Sequence, residues 1–290
     1  MEKRYNIAEL RLRICSEQEI ENRGWSELFE VCEEEGQSEF QIDICVAELP
    51  EYSYESKLYE LYAGGKRRTL RKDKNLISYY REPNRNWQFC YEESDKYGKL
   101  TVTPEYAHYA SDIRNIWNKI DLSRILLRRG GLILHAAYII WNGQGILFTA
   151  PSGTGKSTQA GLWKRYRQAE SVNGDRAVIR EKNGVVWSYS LPFAGSSGIC
   201  INKSCPLKAI VVLGQAAENS VRTIGRTGAI KYLYAQSALN RWNREEVEAV
   251  MEILGRFVYK VEVLKLDCLP NQGAVEILAD YLEKAEERGN

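Results

Sequence analysis

Residues Ala150–Thr158 read APSGTGKST, with two glycines ahead of a lysine and two hydroxyls. Gly153 and Gly155 let the backbone curl so that successive N–H groups face inward, a shape that suits an anion with several oxygens. The helix that follows the loop would add the positive end of its dipole at the same place. The pattern fits a phosphate-binding loop with alanine at its first glycine, a change the geometry allows where no positive φ is needed. Ser152, Gly153, Thr154, Gly155, Lys156, Ser157 and Thr158 are therefore expected to hold a nucleoside triphosphate, ATP or GTP. Lys156 reaches the β and γ phosphates and Ser157 puts its hydroxyl on Mg2+, with Thr158 the less direct ligand.

Binding alone does not name a reaction. Phosphoryl transfer also needs a carboxylate for the metal and, when the acceptor is a hydroxyl, a group that takes its proton. Asp175, in "VNGDRAV", is the first suitable carboxylate after the loop; it can hold metal or accept the proton, or it can simply be a turn residue. His135, one of two histidines beside His108, stands on an apolar segment just upstream of the loop, where it is either a satisfied core residue or a catalytic one. Arg222, Arg226 and Arg241 are candidate phosphate clamps, and "PFAGSSG", Pro192 to Gly198, is a glycine-serine turn able to offer N–H groups to an anion.

Positioning these groups requires particular elements. "LILHAAYIIW" and "GILFTA" read as strands joined by Asn142 and Gly143, a hairpin signal, and the second strand runs into the loop. "QAGLWKRYRQ" reads as helix, "SVNGDRAVIRE" and "GVVWSYSLPF" as strands across Asn183-Gly184, and "LKAIVVLG" as a buried strand. Helices over "IKYLYAQSAL" and "REEVEAVMEILGRF", a strand in "VYKVEVLKL" and a closing helix in "GAVEILADYLEKA" follow. This order predicts an α/β nucleotide-binding core with several hairpins over residues 110–290. Ahead of it, "NIAELRLRIC", "EFQIDICVAEL", "LISYYR", "WQFCYEE" and "KLTVTPEY" predict a small β-rich domain over residues 1–109, an accessory or substrate-recognition domain. Its basic cluster, Gly64 to Lys74, reads as a solvated hairpin edge, and one helix is expected from Ser111 to the Gly130-Gly131 stop.

Composition excludes other classes. A chain of 290 residues that is 44% hydrophobic can bury one large core or two modest ones. Forty basic against 39 acidic residues leave no global field toward nucleic acid or membrane, and no apolar run reaches the roughly 20 residues of a span. The N-terminal residues lack a secretory pattern, so a cytoplasmic protein is expected, with seven scattered cysteines reduced.

"LHAAYIIWNGQGILFTAPSGTGKST" followed by "VNGDR" resembles the catalytic domain of HPr kinase/phosphorylase and its P-loop group, which shares a fold with ATP-dependent phosphoenolpyruvate carboxykinase. The resemblance covers residues 128–215 and points to a stand-alone or peptide-modifying member rather than HPr kinase itself. It implies that His135 and Asp175 converge on the γ phosphate, that Ser157 and Asp175 hold Mg2+, and that the chain forms homo-oligomers. The departures are Gly174 where the family carries a second aspartate, Thr158 where HPr kinase has an acidic residue, and Ser196 where a lysine often follows the glycine. A kinase acting on a hydroxyl of a peptide, protein or small molecule is expected; the alternative is a nucleotide-binding regulator or assembly factor without turnover. A carboxykinase-like lyase lacks the histidine and lysine pair for a second metal.

Overall fold

Two asparagine-glycine turns set the pairing of β-strands on either side of them. Asn142 and Gly143 take φ of 49° and 75°, and Asn183 and Gly184 take 51° and 81°, the left-handed pair that a two-residue hairpin requires. The structure, a computed structural model, describes residues 1–32, 37–51 and 58–289 and divides into two units, Met1–Leu122 and Ser123–Asn290.

The first unit is a sheet of eight strands among the described residues: β1 (Glu2–Ile7), β2 (Leu10–Ser16), β3 (Phe40–Val46), β4 (Leu58–Ala63), β5 (Arg67–Lys72), β6 (Asn75–Tyr80), β7 (Phe89–Glu93) and β8 (Tyr97–Val102). Their order is β1-β2-β3-β8-β7-β6-β5-β4, antiparallel except for β2–β3 and β3–β8. Alternate residues Leu10, Leu12 and Ile14 of β2 and Phe40, Ile42 and Ile44 of β3 are buried, as one packed sheet face demands. Three expectations change. "NIAELRLRIC" is a hairpin whose turn falls on Ala8 and Glu9, both at positive φ, although neither residue advertises a turn. The basic cluster is not an edge: β5 lies between β4 and β6, with Arg67 paired to Asp121 at 3.2 Å and Arg68 to Glu60 at 2.6 Å. The helix expected from Ser111 onward comes in pieces, α1 (Ala107–Ala110), α2 (Ile113–Trp117) and α3 (Leu122–Leu127). Asp112, not Ser111, caps α2, accepting from the Arg114 amide at 2.9 Å, while Asn118 donates back to the Arg114 carbonyl at 3.0 Å where α2 ends.

The second unit contains β9 (Gly131–Trp141), β10 (Gln144–Thr149), α4 (Lys156–Arg167), β11 (Glu170–Asn173), β12 (Arg176–Lys182), β13 (Val185–Tyr189), β14 (Ser204–Gln215), β15 (Ser220–Thr223), α5 (Arg226–Gln236), α6 (Arg244–Phe257), β16 (Glu262–Cys268) and α7 (Gln272–Gly289). The path runs β10-β9-β12-β13-β14-β16-β15, and β10 also pairs with β14, so five strands close on themselves. β10, β14 and β16 are parallel; the other pairings are antiparallel, which makes the sheet mixed. Both faces are covered, explaining the near-continuous apolar reading of β9, β10 and β14. One core joins Leu134, Ala136 and Tyr138 of β9 to α5 and α6; the other joins Ala137 and Ile139 to α4 and α7. The short β15, Ser-Val-Arg-Thr, has a single apolar residue, Val221, too few to show a periodicity. No described helix is long and apolar enough to cross a membrane.

Candidate functional site

β10 delivers the chain into Ala150–Gly155, and α4 begins at Lys156. Gly153 and Gly155 take φ of 79° and 113°, values closed to most side chains, so the two glycines set the curl. Lys156 is only 7% exposed, and its Nζ donates to the carbonyls of Ala150 at 2.9 Å and Pro151 at 3.3 Å. An ammonium has three donors, so one remains for an acceptor in the cavity. Burial lowers the Lys156 pKa, against the opposing pull of Asp175.

The opposite wall comes from a break in a strand. β11 and β12 line the same edge of β9 and would be one strand, but the ladder is interrupted at Gly174-Asp175. Asn173, 1% exposed, makes the interruption: its Oδ1 accepts from the amides of Asp175 and Arg176, both at 3.0 Å. Its Nδ2 donates to Ser190 Oγ at 3.2 Å and to the carbonyls of Leu191 at 3.1 Å and Phe193 at 2.7 Å. An asparagine that captures the next amides competes with the ladder, and here it turns the Asp175 side chain out of the sheet. Asn173→Ala is expected to lower stability by ~2 kcal/mol, because it strands buried donors and acceptors on both sides of the break. A denaturant titration checks this.

Asp175 Oδ1 then lies 3.5 Å from Nε2 of His135, and its Oδ2 lies 3.2 Å from Nε of Arg176. His135 is fixed from below by Thr149, whose hydroxyl donates to its carbonyl at 2.9 Å, and its ring bonds Gln236. Desolvation and the Lys156 ammonium lower the imidazole pKa, outweighing Asp175 and Gln236, so the ring stays neutral to more acid pH than a free histidine. Two consequences can be checked. An NMR titration should place the His135 midpoint below 6.5, and Lys156→Met should move it upward by removing a like charge. Because the folded value is the lower one, the unfolded chain takes this proton first, and stability falls as pH drops below about 6.5.

His135, Lys156 and Asp175, together with Ser152, Gly153, Gly155, Ser157, Thr158, Gly174 and Ser196, border one cavity of about 410 Å³. Thr154 faces a neighbouring cavity instead. The segment Pro192–Gly198 reaches the site through close packing. A Cβ on Gly195 would stand 2.7 Å from Asp175 Cβ, and one on Gly174 would stand 1.9 Å from Ser197 Oγ and 2.6 Å from Ser197 Cβ. Ser197 thus occupies the space of a side chain at position 174, its hydroxyl donating to the Ala194 carbonyl at 2.8 Å.

The three candidate arginines are not brought to this cavity. Arg222 is within 4.0 Å of Asp267, Arg226 lies over the Tyr259 ring, and Arg241 donates to the carbonyls of Tyr234 and Ala235. Asn173 and Gln236 are the residues that sequence reasoning missed; an asparagine directly before Gly-Asp was the available signal for the first, and none existed for the second.

The family described as SynChlorMet cassette protein ScmC matches residues 111–259, more than half of the chain. The chain belongs to the ScmC family. The ScmC match takes in His135, the Ala150–Thr158 loop, Asn173 to Arg176 and the Pro192–Gly198 segment, and ends ahead of β16 and α7. Among solved structures, the chain is similar to the Hpr(Ser) kinase/phosphatase from Coxiella burnetii at 13% identity, over 54% of this chain and 94% of that one, with a TM-score of 0.32. No curated protein matches the chain.

Proposed function

We propose that this ScmC-family chain is a kinase that binds a nucleoside triphosphate with Mg2+ and transfers its γ phosphate to a hydroxyl of a peptide, protein or small molecule. The observation that carries the reading is that His135 and Asp175 border two cavities at once. One contains the glycine loop and Lys156; the other, about 340 Å³, is bounded by Arg176 and Gln236. A reacting pair between a phosphate cradle and a second cavity is the arrangement that transfer between two substrates requires.

The residues fit the metal. Ser157 and Asp175 offer oxygen donors on the same cavity, the donor type that suits a hard cation. Bound there, Mg2+ would neutralise charge on the phosphate oxygens. In the reaction, the bond from the γ phosphorus to its bridging oxygen breaks, and a bond to the acceptor oxygen forms. The loop amides and Lys156 hold the phosphates, and the acceptor's proton goes to the His135–Asp175 pair, whose imidazole is held neutral and able to receive it. Arg176 keeps the carboxylate oriented from its other oxygen.

A second reading, a nucleotide-binding regulator without turnover, is favoured by one observation. Ser197 fills the space beside Gly174, so Asp175 works without an adjacent carboxylate. Incubation with Mg2+ and γ-labelled ATP or GTP, with hydroxyl-bearing peptides as acceptors, separates the two. Label on an acceptor supports the kinase; a thermal shift with nucleotide but no label transferred or released supports the regulator.

A further inference from the structure

One hydroxyl of this chain borders the loop cavity from the side of Asp175. The hydroxyl residues around that cavity are Ser152, Ser157 and Thr158, from the glycine loop and the first turn of α4, and Ser196. Ser196 belongs to the Pro192–Gly198 segment, which is held at both ends by the residues just ahead of Asp175. At one end Asn173 Nδ2 donates to the Phe193 carbonyl at 2.7 Å; at the other the Gly174 amide donates to the Ile199 carbonyl at 3.3 Å, and Asn173 pairs with Cys200. Between these anchors Gly195 and Gly198 take φ of 55° and 67°, left-handed values that let so short a turn close. Gly195 lies so near that a Cβ on it would stand 2.8 Å from Asp175 Cγ and 3.0 Å from Oδ1, and Ser196 is the next residue.

The two serines of this turn are used differently. Ser197 Oγ donates to the Ala194 carbonyl at 2.8 Å, accepts from the Ile199 amide at 3.3 Å and packs against Gly174. Ser196 is exposed at the cavity, and its hydroxyl is committed to none of the described residues.

We infer that Ser196 is an acceptor within the chain: its hydroxyl takes the γ phosphoryl group of the nucleotide held by the loop, an autophosphorylation. The inference rests on the kinase reading above. Phosphoryl transfer needs the attacking oxygen roughly in line with the leaving group, on the side of the γ phosphorus away from the diphosphate. With the diphosphate on the glycine loop and Lys156, the hydroxyls of Ser152, Ser157 and Thr158 stand on the leaving side, and Ser196 stands with Asp175 on the attacking side. The bond from the γ phosphorus to its bridging oxygen breaks, and a bond to Ser196 Oγ forms. The serine proton passes to the His135–Asp175 pair, and the nucleoside diphosphate leaves. Because the turn is anchored at both ends, the step is intramolecular and needs no encounter with a second molecule. The phosphate stays on Ser196 beside Asp175, so the event occurs once per chain.

The test incubates the full chain with Mg2+ and γ-labelled ATP or GTP, with and without a hydroxyl-bearing peptide, and locates the label by tandem mass spectrometry. Label is expected on Ser196. Ser196→Ala should lose it, and Ser196→Thr should carry it on the threonine, with melting temperatures showing that both variants fold. The first-order rate constant of labelling should not change over about a tenfold range of chain concentration, the mark of transfer within one chain. Label on the peptide but none on Ser196 overturns the inference and leaves the kinase reading standing. Label on neither removes both. A rate at Ser196 that rises in proportion to chain concentration also overturns the inference, since the phosphate then comes from a second copy.

Discussion

Asp175→Asn should lower phosphoryl transfer about 1,000-fold or more while leaving the dissociation constant for Mg-ATP within about threefold. The substitution keeps shape and nearly all packing, including the close approach of Gly195. It removes the negative charge that faces His135 at 3.5 Å and Arg176 at 3.2 Å. An amide neither takes a proton from a hydroxyl nor serves as an anionic metal ligand, so both roles open to Asp175 disappear together. The loop proposed to grip the phosphates is untouched. Single-turnover transfer of label, measured beside nucleotide binding by titration, reads the two quantities separately. Transfer at near wild-type rate would dismiss Asp175 from the reaction; equal loss of binding and transfer would make it a ligand for the nucleotide and nothing more.

Lys156→Met should weaken nucleotide binding about 100-fold, the value of losing charge-assisted bonds from one cation to phosphate oxygens. The same substitution is expected to leave the melting temperature unchanged or raised. Burial lowers the Lys156 pKa, so at neutral pH the fold carries a charge it disfavours, and stability rises as pH climbs through the folded value toward 10.5. A methionine fills similar space without that charge. A melting temperature several degrees lower would show that the bonds to Ala150 and Pro151 hold the loop together, and that Lys156 is first a structural residue.

How much of this could be read beforehand depended on whether the signal was local. Asn-Gly turns fix a hairpin within four residues, which is why β9 to β10 and β12 to β13 stand where the residues put them. The glycine loop is equally local; its neighbours in space are His135 on β9 and Asp175 in the break ahead of β12, and the β9–β12 pairing that brings these two together is a non-local contact. The front unit was less legible. The turn at Ala8-Glu9 is imposed by pairing along β1 and β2, and β5 is interior because β4 covers it, facts of tertiary contact that no short window contains. The arginine candidates failed for a similar reason: residue type favoured them, but position in the fold directs them to Asp267, Tyr259 and two backbone carbonyls. Arg176, given its place by the broken strand, is the guanidinium that reaches the carboxylate.

The packing of Ser197 against Gly174 restricts the order in which substitutions can accumulate. An aspartate at position 174 introduced alone meets the Ser197 side chain, and a glycine at 197 introduced alone gives up the bond to Ala194. A second carboxylate is therefore reached through a pair of changes whose single steps are each disfavoured, and the double variant should be more stable than the sum of its parts predicts. Gly174 and Ser197 are in that sense a coupled pair: neither position accepts the change without the other, and Asp175 stands without a neighbouring carboxylate for as long as both remain.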